Sequence, residues 1–401
     1  MIIAKAMFES IRDEYNSSLM RIYLLVFLFS LSVSVTFIAV PLFAYALKAS
    51  QLEIGLLGSV YTGVQIPLSV YFGRLSDKIG RMKLLAISLI CTTLSMMLLT
   101  FNSSLLLLFL IRALGGFAAA IFWPVSGALS ADKAPKDKLV KVMGLSSAAL
   151  GISSIIGPSI SGLIIDYFQN FNITFLAGTV ISISAYPVLL SLSRIEGKTQ
   201  KKISEEHHGL SKIGTALNRR ERRVLVWSAI AIGFYGFVSG GLWNLFPVYS
   251  VMIGFSKTVT GLFQTISSVM NVIIFFAIGR LSARASKITL CAIGAALCMP
   301  IILVAFSRGF LPLAFAVGMF GLGTGIIYPT GRAAALELSS EKRGYYIGIY
   351  EGITTTGFAS GALFGGSLAN YIALESPYYL YSILALVVTL ALVMFSRSKG
   401  N

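Results

Sequence analysis

Twelve apolar stretches of roughly twenty or more residues, divided by short charged or turn-forming clusters, run the length of this 401-residue chain. A stretch of that length spans the ~30 Å hydrocarbon core of a bilayer as a helix. They lie near 22–48, 53–72, 83–101, 104–127, 140–165, 172–193, 223–250, 258–280, 287–306, 311–333, 344–371 and 377–396. In hydrocarbon every backbone N–H and C=O has to be satisfied inside the segment, which leaves the α-helix as the conformation for such stretches. The expected fold is an all-α membrane protein with twelve transmembrane helices. Only 12% of the residues are charged and 56% are hydrophobic, whereas soluble domains carry about 25% charged residues, so a water-soluble core is excluded. The first stretch follows the charged segment 5–21 and is too long for the apolar core of a cleaved signal, so it reads as the first span.

A formal charge of +16 raises the possibility of a nucleic-acid partner, but the placement of the cations argues for topology instead. With the N-terminus inside, 28 Lys and Arg fall in segments facing the cytoplasm, and the outer loops hold only Lys48, Lys257 and Arg308. That is the positive-inside pattern, and it predicts a multi-pass protein of the cytoplasmic membrane with both termini in the cytoplasm. The longest connection, from Arg194 to Arg223, carries nine cations and His207/His208. It reads as a solvated link (194–222) between six-helix bundles at 1–193 and 223–401. The histidine pair is assigned no metal. Cys91, Cys291 and Cys298 sit in apolar runs without metal-ligand spacing and read as packing residues. No P-loop, zinc signature or nucleophile elbow is present, so neither an enzyme nor an ATP-driven pump is expected, and no cofactor is.

The two bundles are related in sequence. Pro41, Ser50, Gly55 and Gly73 recur 206 residues later as Pro247, Ser256, Gly261 and Gly279; Pro124 and Asp132 recur 205 later as Pro329 and Glu337; Gly157 and Gly162 recur 204 later as Gly361 and Gly366. Chance matches would scatter in offset, whereas duplication of a six-span unit gives one slowly drifting offset. The expected architecture is two parallel six-helix pseudo-repeats related by an axis along the membrane normal.

After span two comes Gly73-Arg74-Leu75-Ser76-Asp77-Lys78-Ile79-Gly80-Arg81-Met82-Lys83. This resembles the signature G-x-L-x-D-R-x-G-R-R/K of major facilitator transporters, with Lys78 in place of Arg; the second copy has Ala283 where the aspartate would be. The resemblance implies the major facilitator fold over the whole chain. It also implies a conformational latch of Gly73, Asp77, Gly80, Arg81 and an acid at the inner end of span four, Asp132, that favours the outward-facing state.

Two further stretches carry the same resemblance. Arg112, followed by glycines in span four, resembles the family's intramembrane arginine; a cation there costs at least ~2.5 kcal/mol on insertion scales and should face a cavity or partner, or snorkel to the surface. Gly157-Pro158-Ser159-Ile160-Ser161-Gly162 resembles the G-x-x-x-G-P-x-x-G-G signature of exporters that exchange substrate for protons, although Ser153 and Ser161 replace two of its glycines. Gly157, Pro158 and Gly162, with Gly357, Gly361 and Gly365 on span eleven, also form rows of small or kinking residues on which helices pack closely.

Polar and aromatic residues stranded in apolar spans are the cavity candidates: Tyr61, Gln65, Trp123, Trp243, Asn244, Gln264, Asn271 and Tyr328. Gln65 and Asn271 match at the 206 offset, which places two amides at equal depth, and for each candidate interhelical packing is the alternative role. Glu351 is the carboxylate placed deepest in a span, about 10 Å from the inner end of span eleven. It is the candidate proton carrier, with Arg112 as the second coupling residue; solvation or pairing with Arg343 is the alternative.

These observations lead to the expectation of a monomeric secondary transporter in membrane lipid, a proton-coupled exporter of a small amphipathic or drug-like substrate. The alternatives are a proton-coupled importer of a sugar or organic anion and, more remotely, a receptor on the same fold.

Overall fold

The computed structural model describes residues 17–135, 139–199, 219–336 and 343–397. His207, His208, Glu337 and the centre of the link, 200–218, lie outside the described residues, as do the side chains of Arg343, Ala283 and Arg284. Twelve membrane-length helical elements follow one another: α1 (Ser17–Phe37, continued by Ala39–Ala46), α2 (Gln51–Ile79), α3 (Arg81–Thr100), α4 (Leu105–Lys133), α5 (Leu139–Phe168), α6 (Phe171–Thr199), α7 (Arg219–Met252), α8 (Lys257–Arg284), α9 (Lys287–Leu297, then a 3₁₀ turn Met299–Ile302 and Leu303–Phe306), α10 (Phe310–Leu336), α11 (Arg343–Tyr371) and α12 (Ser376–Arg397). Two of the expected spans are therefore interrupted. In span nine Pro300 lacks the N–H a regular helix needs, and the chain tightens into a 3₁₀ turn there.

Eleven of these elements are long and apolar enough to cross a membrane by composition alone, and Arg343–Tyr371 is not among them. The reason is its position. α11 packs against α7 of its own repeat and α2 of the other, so its surface is built of Gly, Ala, Thr and Ser that touch protein. Such residues lower the mean hydropathy of a helix that still belongs in the bundle.

One apolar core joins residues of α1, α2, α3, α4, α5 and α6 through Phe29, Phe122, Leu89 and Leu129. A larger one joins residues of α7, α8, α9, α10 and α12 through Phe246, Phe263, Phe320 and Tyr381. The helices alternate in direction between two ends. Both described chain ends and the described flanks of the link, 194–199 and 219–222, lie at one, here the link end; the turns at 47–50, 169–170, 253–256 and 372–375 lie at the other, here the far end.

The recurring residues are the ones that shape equivalent places in the two repeats. Ser50 and Ser256 both cap helix starts, accepting from Glu53 N at 3.3 Å and Val259 N at 3.2 Å. Gly55 of α2 lies against the carbonyl of Ala362 on α11, and Gly261 of α8 lies against the carbonyl of Pro158 on α5. Gly162 meets Lys257 and Thr258, while Gly366 meets Gln51 and Leu52. A β-carbon at any of these four would strike backbone, which cannot move aside as a side chain can. The repeated glycines thus form the two seams, α2–α11 and α5–α8, on which the repeats meet near the far end.

Candidate functional site

Glu351, Ala359, Ala362 and Gly366 fall on one stripe of α11, at i, i+8, i+11 and i+15. At the far end this stripe is the α2 seam: Ser59 Oγ donates to the Ala359 carbonyl at 2.7 Å. Followed toward the link end, the stripe leaves the seam and reaches Glu351, whose side chain is 40% exposed. The carboxylate therefore lies on the face that looks between the repeats.

Its surroundings differ from an apolar span interior. Tyr328 of α10 donates its hydroxyl to Glu351 Oε1 at 3.1 Å. Arg332, one turn further along α10, approaches the same oxygen at 3.7 Å with its side chain 35% exposed, and reaches the Tyr328 hydroxyl at 3.5 Å. Tyr235 of α7 lies 5.4 Å from the Tyr328 ring, between centroids. Tyr350 does not serve the carboxylate: its hydroxyl donates to the Tyr328 carbonyl at 2.5 Å and fixes α10 to α11. Glu351 is thus a partly hydrated carboxylate paired with an arginine, and the partner is Arg332. In the sequence Arg332 counted as a loop cation because it stands at the inner end of span ten. Its spacing of four from Tyr328 was the available signal.

Arg112 forms a separate site within the first repeat. Its guanidinium lies 4.4 Å from the Tyr61 ring centroid, and Nε points to the Leu57 carbonyl at 3.5 Å. Gly115 and Gly116 let the Tyr61 ring and backbone close over it. The cation is held by the face of an aromatic ring, and a cavity of about 20 Å³ beside it has room for about one water. Tyr61 therefore belongs with Arg112.

The other candidates are dispersed. Trp123 packs edge-on against Phe29 and Phe122, and Trp243 edge-on against Phe320, each within its own repeat. Asn244 fills the space over Gly58 of α2, with its amide donating to the Gly240 carbonyl at 2.8 Å. Asn271 donates to Thr324 Oγ1 on α10 at 3.2 Å; Gln264 is buried seven residues away on the same helix, and Gln65 is half-buried on α2. No hydrogen bond joins Gln65 to Asn271 among the described residues.

At the link end Arg81 stands between two acids: its guanidinium meets Asp132 of α4 directly and Asp77 at 3.5 Å. The positive φ of Gly80, 100°, makes the turn that brings them together, a conformation L side chains resist. Gly73 passes Pro124 of α4 with room for a β-carbon. The small residues of α5 and α11 are used for contact: Gly157 against Ser34 of α1, Gly357 against Gly233 of α7, Gly361 against Phe237 of α7, and Gly365 against Tyr381 of α12. Pro158 offers its carbonyl to the Gly261 seam.

One far-end clasp between the repeats was not visible in the sequence. Asp166, near the end of α5, accepts from Thr258 N and Thr258 Oγ1, both at 2.7 Å, and from Lys257 N at 3.3 Å, so it caps α8 across the α5–α8 seam. Lys257 Nζ adds an ion pair at 3.7 Å.

A groove of about 480 Å³ opens beside α2, α7 and α11, lined by Ile66, Gly233, Phe237, Ile353, Thr356 and Ser360. Its α11 residues, which also include Ile349, Gly352 and Gly357, lie roughly 100–180° around the helix from Glu351. The groove is therefore distinct from the polar cluster.

The model of the Major Facilitator Superfamily matches residues 22–320 and 288–401, nearly the whole chain. The chain belongs to the major facilitator superfamily. Among similar proteins are Multidrug resistance protein 2 of Bacillus subtilis, 24% identical over 94% of this chain and 94% of the relative, and Quinolone resistance protein NorA of Staphylococcus aureus, 23% identical over 91% of this chain and 93% of the relative. A Probable sugar efflux transporter of Helicobacter pylori is 25% identical over 87% of this chain and 89% of the relative. The fold is shared with a POT family transporter solved with a thioalcohol-conjugated peptide (TM-score 0.79, 13% identity, 96% of both chains). It is also shared with a nucleoside transporter NupG variant (TM-score 0.76, 12% identity, 94% of this chain and all of that one). This major facilitator protein is thus a multi-pass membrane transporter of two six-helix repeats.

Proposed function

We propose that this chain is a proton-coupled exporter of small amphipathic compounds, working as a monomer in the cytoplasmic membrane with the link end in the cytoplasm. The observation that carries the reading is the Glu351 stripe: a carboxylate on a seam helix, partly exposed between the repeats and hydrogen-bonded to Tyr328. A carboxylate there can exchange a proton as the repeats rock about the seams. The distribution of Lys and Arg supports the orientation, and the names of relatives that describe resistance and efflux support the direction. With that orientation the far-end seams close the outer side, so the conformation described here opens inward. The bundles at 1–193 and 223–401, joined by 194–222, would be the rocking units.

The test is proton-driven transport in inverted vesicles loaded with the full chain. Glu351→Gln is expected to retain binding of a fluorescent dye substrate while losing ΔpH-driven accumulation at least ~10-fold, the loss expected when a proton-transfer group is removed. Normal accumulation with normal pH dependence would remove Glu351 from the coupling step. Uptake in the opposite direction would favour the importer of a sugar or organic anion.

Arg81, Asp77 and Asp132 all stand on the first repeat. In this reading they are one half of a cytoplasmic latch that is released in the inward-opening conformation described here and engages the second repeat only when the cytoplasmic ends close. Asp77 is 69% exposed, and exposed ion pairs contribute only ~0–1 kcal/mol to stability. Asp77→Asn is accordingly expected to melt close to wild type while spin-label distances across the cytoplasmic ends shift toward the inward-open population and turnover falls. Unchanged distances and turnover would leave the cluster a topological anchor.

A further inference from the structure

The pair Arg332–Glu351 has the wrong geometry for a structural ion pair. Structural arginine–carboxylate pairs tend to be bidentate, with both oxygens engaged at 2.7–2.9 Å. Here one nitrogen and one oxygen stand 3.7 Å apart, and the side chains are 35% and 40% exposed. The carboxylate also accepts from Tyr328 on that same Oε1, at 3.1 Å, which leaves Oε2 free of any described partner. The guanidinium has, besides this contact, the Tyr328 hydroxyl at 3.5 Å. Two opposite charges on two helices thus face the gap between the repeats, each with unused hydrogen-bonding capacity. The paired rings of Tyr235 and Tyr328 form an apolar wall beside them.

We infer that this cluster binds a zwitterionic amphipathic substrate, its ammonium on Glu351, its carboxylate on Arg332 and its apolar body against Tyr235 and Tyr328. This rests on the reading of the gap between the repeats as the transport path. The choice of charge follows from neutrality. A lone cation on Glu351 leaves Arg332 without its countercharge, and a lone anion on Arg332 does the same to Glu351; in a gap that hydrates the two side chains only in part, the remaining charge is less well compensated than in bulk water. A zwitterion replaces each partner with an equivalent one and leaves the net charge unchanged. The planar fork of the guanidinium suits a carboxylate in both directions. Proton exchange follows without further groups: the ammonium and a proton compete for the same Glu351 oxygens, so arrival of one displaces the other.

The experiment uses the purified full chain and three forms of one fluorescent probe: ε-dansyl-lysine, a zwitterion, its methyl ester, a cation, and its Nα-acetyl derivative, an anion. Fluorescence titration is expected to show the zwitterion binding at least ~10-fold more tightly than either derivative, a difference of about 1.4 kcal/mol. Arg332→Gln should bring the zwitterion and the ester to equal affinity, and Arg332→Lys should restore part of the preference. Glu351→Gln should bring the zwitterion and the acetyl derivative to equal affinity. Melting curves identify any variant that fails to fold, and the wild-type ranking alone then decides. Ester binding as tight as zwitterion binding, preference retained in Arg332→Gln, or no binding of any form overturns the inference. The transport reading is scored separately, by ΔpH-driven flux in proteoliposomes. Flux of the ester without zwitterion preference leaves the exporter and removes the substrate class, whereas zwitterion preference without flux does the reverse.

Discussion

Gly361→Val is expected to leave little or no monodisperse protein after extraction from the membrane. A β-carbon at this position falls on the carbonyl, and on the carbonyl carbon and Cα, of Phe237, so the obstacle is backbone on α7 and no rotamer change relieves it. The same pair of helices meets again where Gly236 lies on the Thr354 carbonyl and Gly240 on the Phe358 carbonyl. Displacement at Gly361 therefore strains these contacts as well. In a bilayer no hydrophobic force holds helices together, and close van der Waals packing is what is lost. Overpacking in a tight core costs ~1–3 kcal/mol and more when backbone has to move, and valine should sit at or above the top of that range. Gly348→Ala, on the same helix but with open space around the new carbon, is the control and should behave as wild type. Size-exclusion profiles of the two variants check this; a wild-type profile for Gly361→Val would mean that α7 and α11 do not pack as described.

The second large effect is expected at Asp166→Ala. This side chain caps α8 from across the seam, with three hydrogen bonds and the Lys257 ion pair. An N-cap contributes ~1 kcal/mol and hydrogen bonds to charged groups ~1.5–3 kcal/mol each, although some of this is recovered from water once the clasp opens. A net shift of ~1–3 kcal/mol against the far-end-closed state corresponds to roughly a 5–150-fold change in the conformational equilibrium. Spin labels at Tyr167→Cys and Met252→Cys, both exposed at the far end, should report longer distances in the Asp166→Ala background. The opposite seam supplies the comparison. The pseudo-symmetric position is Asn370, which is exposed, so Asn370→Ala should leave the distances unchanged. Equal responses at the two positions, or none at Asp166, would show that glycine packing alone closes the far end.

The legible part of the candidate site consisted of residues whose chemistry is unusual for a membrane helix. Arg112, Glu351 and Asp77 with Arg81 stood out because a charge in or beside an apolar run is expensive enough to need a reason. Their partners did not stand out. Tyr61 read as one cavity candidate among several, yet its ring covers Arg112. For Glu351 the sequence offered Arg343 as the pairing cation, while the atoms that reach it come from Tyr328 and Arg332 on α10. Trp123 and Trp243 read as cavity surface, and each packs within its own repeat.

The sequence by itself determined the twelve helical elements, the doubling of a six-helix unit and the family signatures. It did so because a bilayer makes each helix satisfy its own backbone, so that length and apolarity, both local quantities, suffice. The glycines that recur between the halves showed the duplication, but that they line the two seams came only from the packed helices. What only the tertiary structure decided is which side chains meet. Successive residues turn by 100° about a helix axis, so an uncertainty of two residues in a boundary points a side chain at a different neighbour, and the axial rotation of each helix is fixed by its packing partners. Arg332 against Glu351, Asp166 on the start of α8 and Tyr61 over Arg112 are contacts between different helices, and the last two are set by the close approach that glycine permits, Gly162 and Gly261 at the α5–α8 seam and Gly115 and Gly116 between α2 and α4.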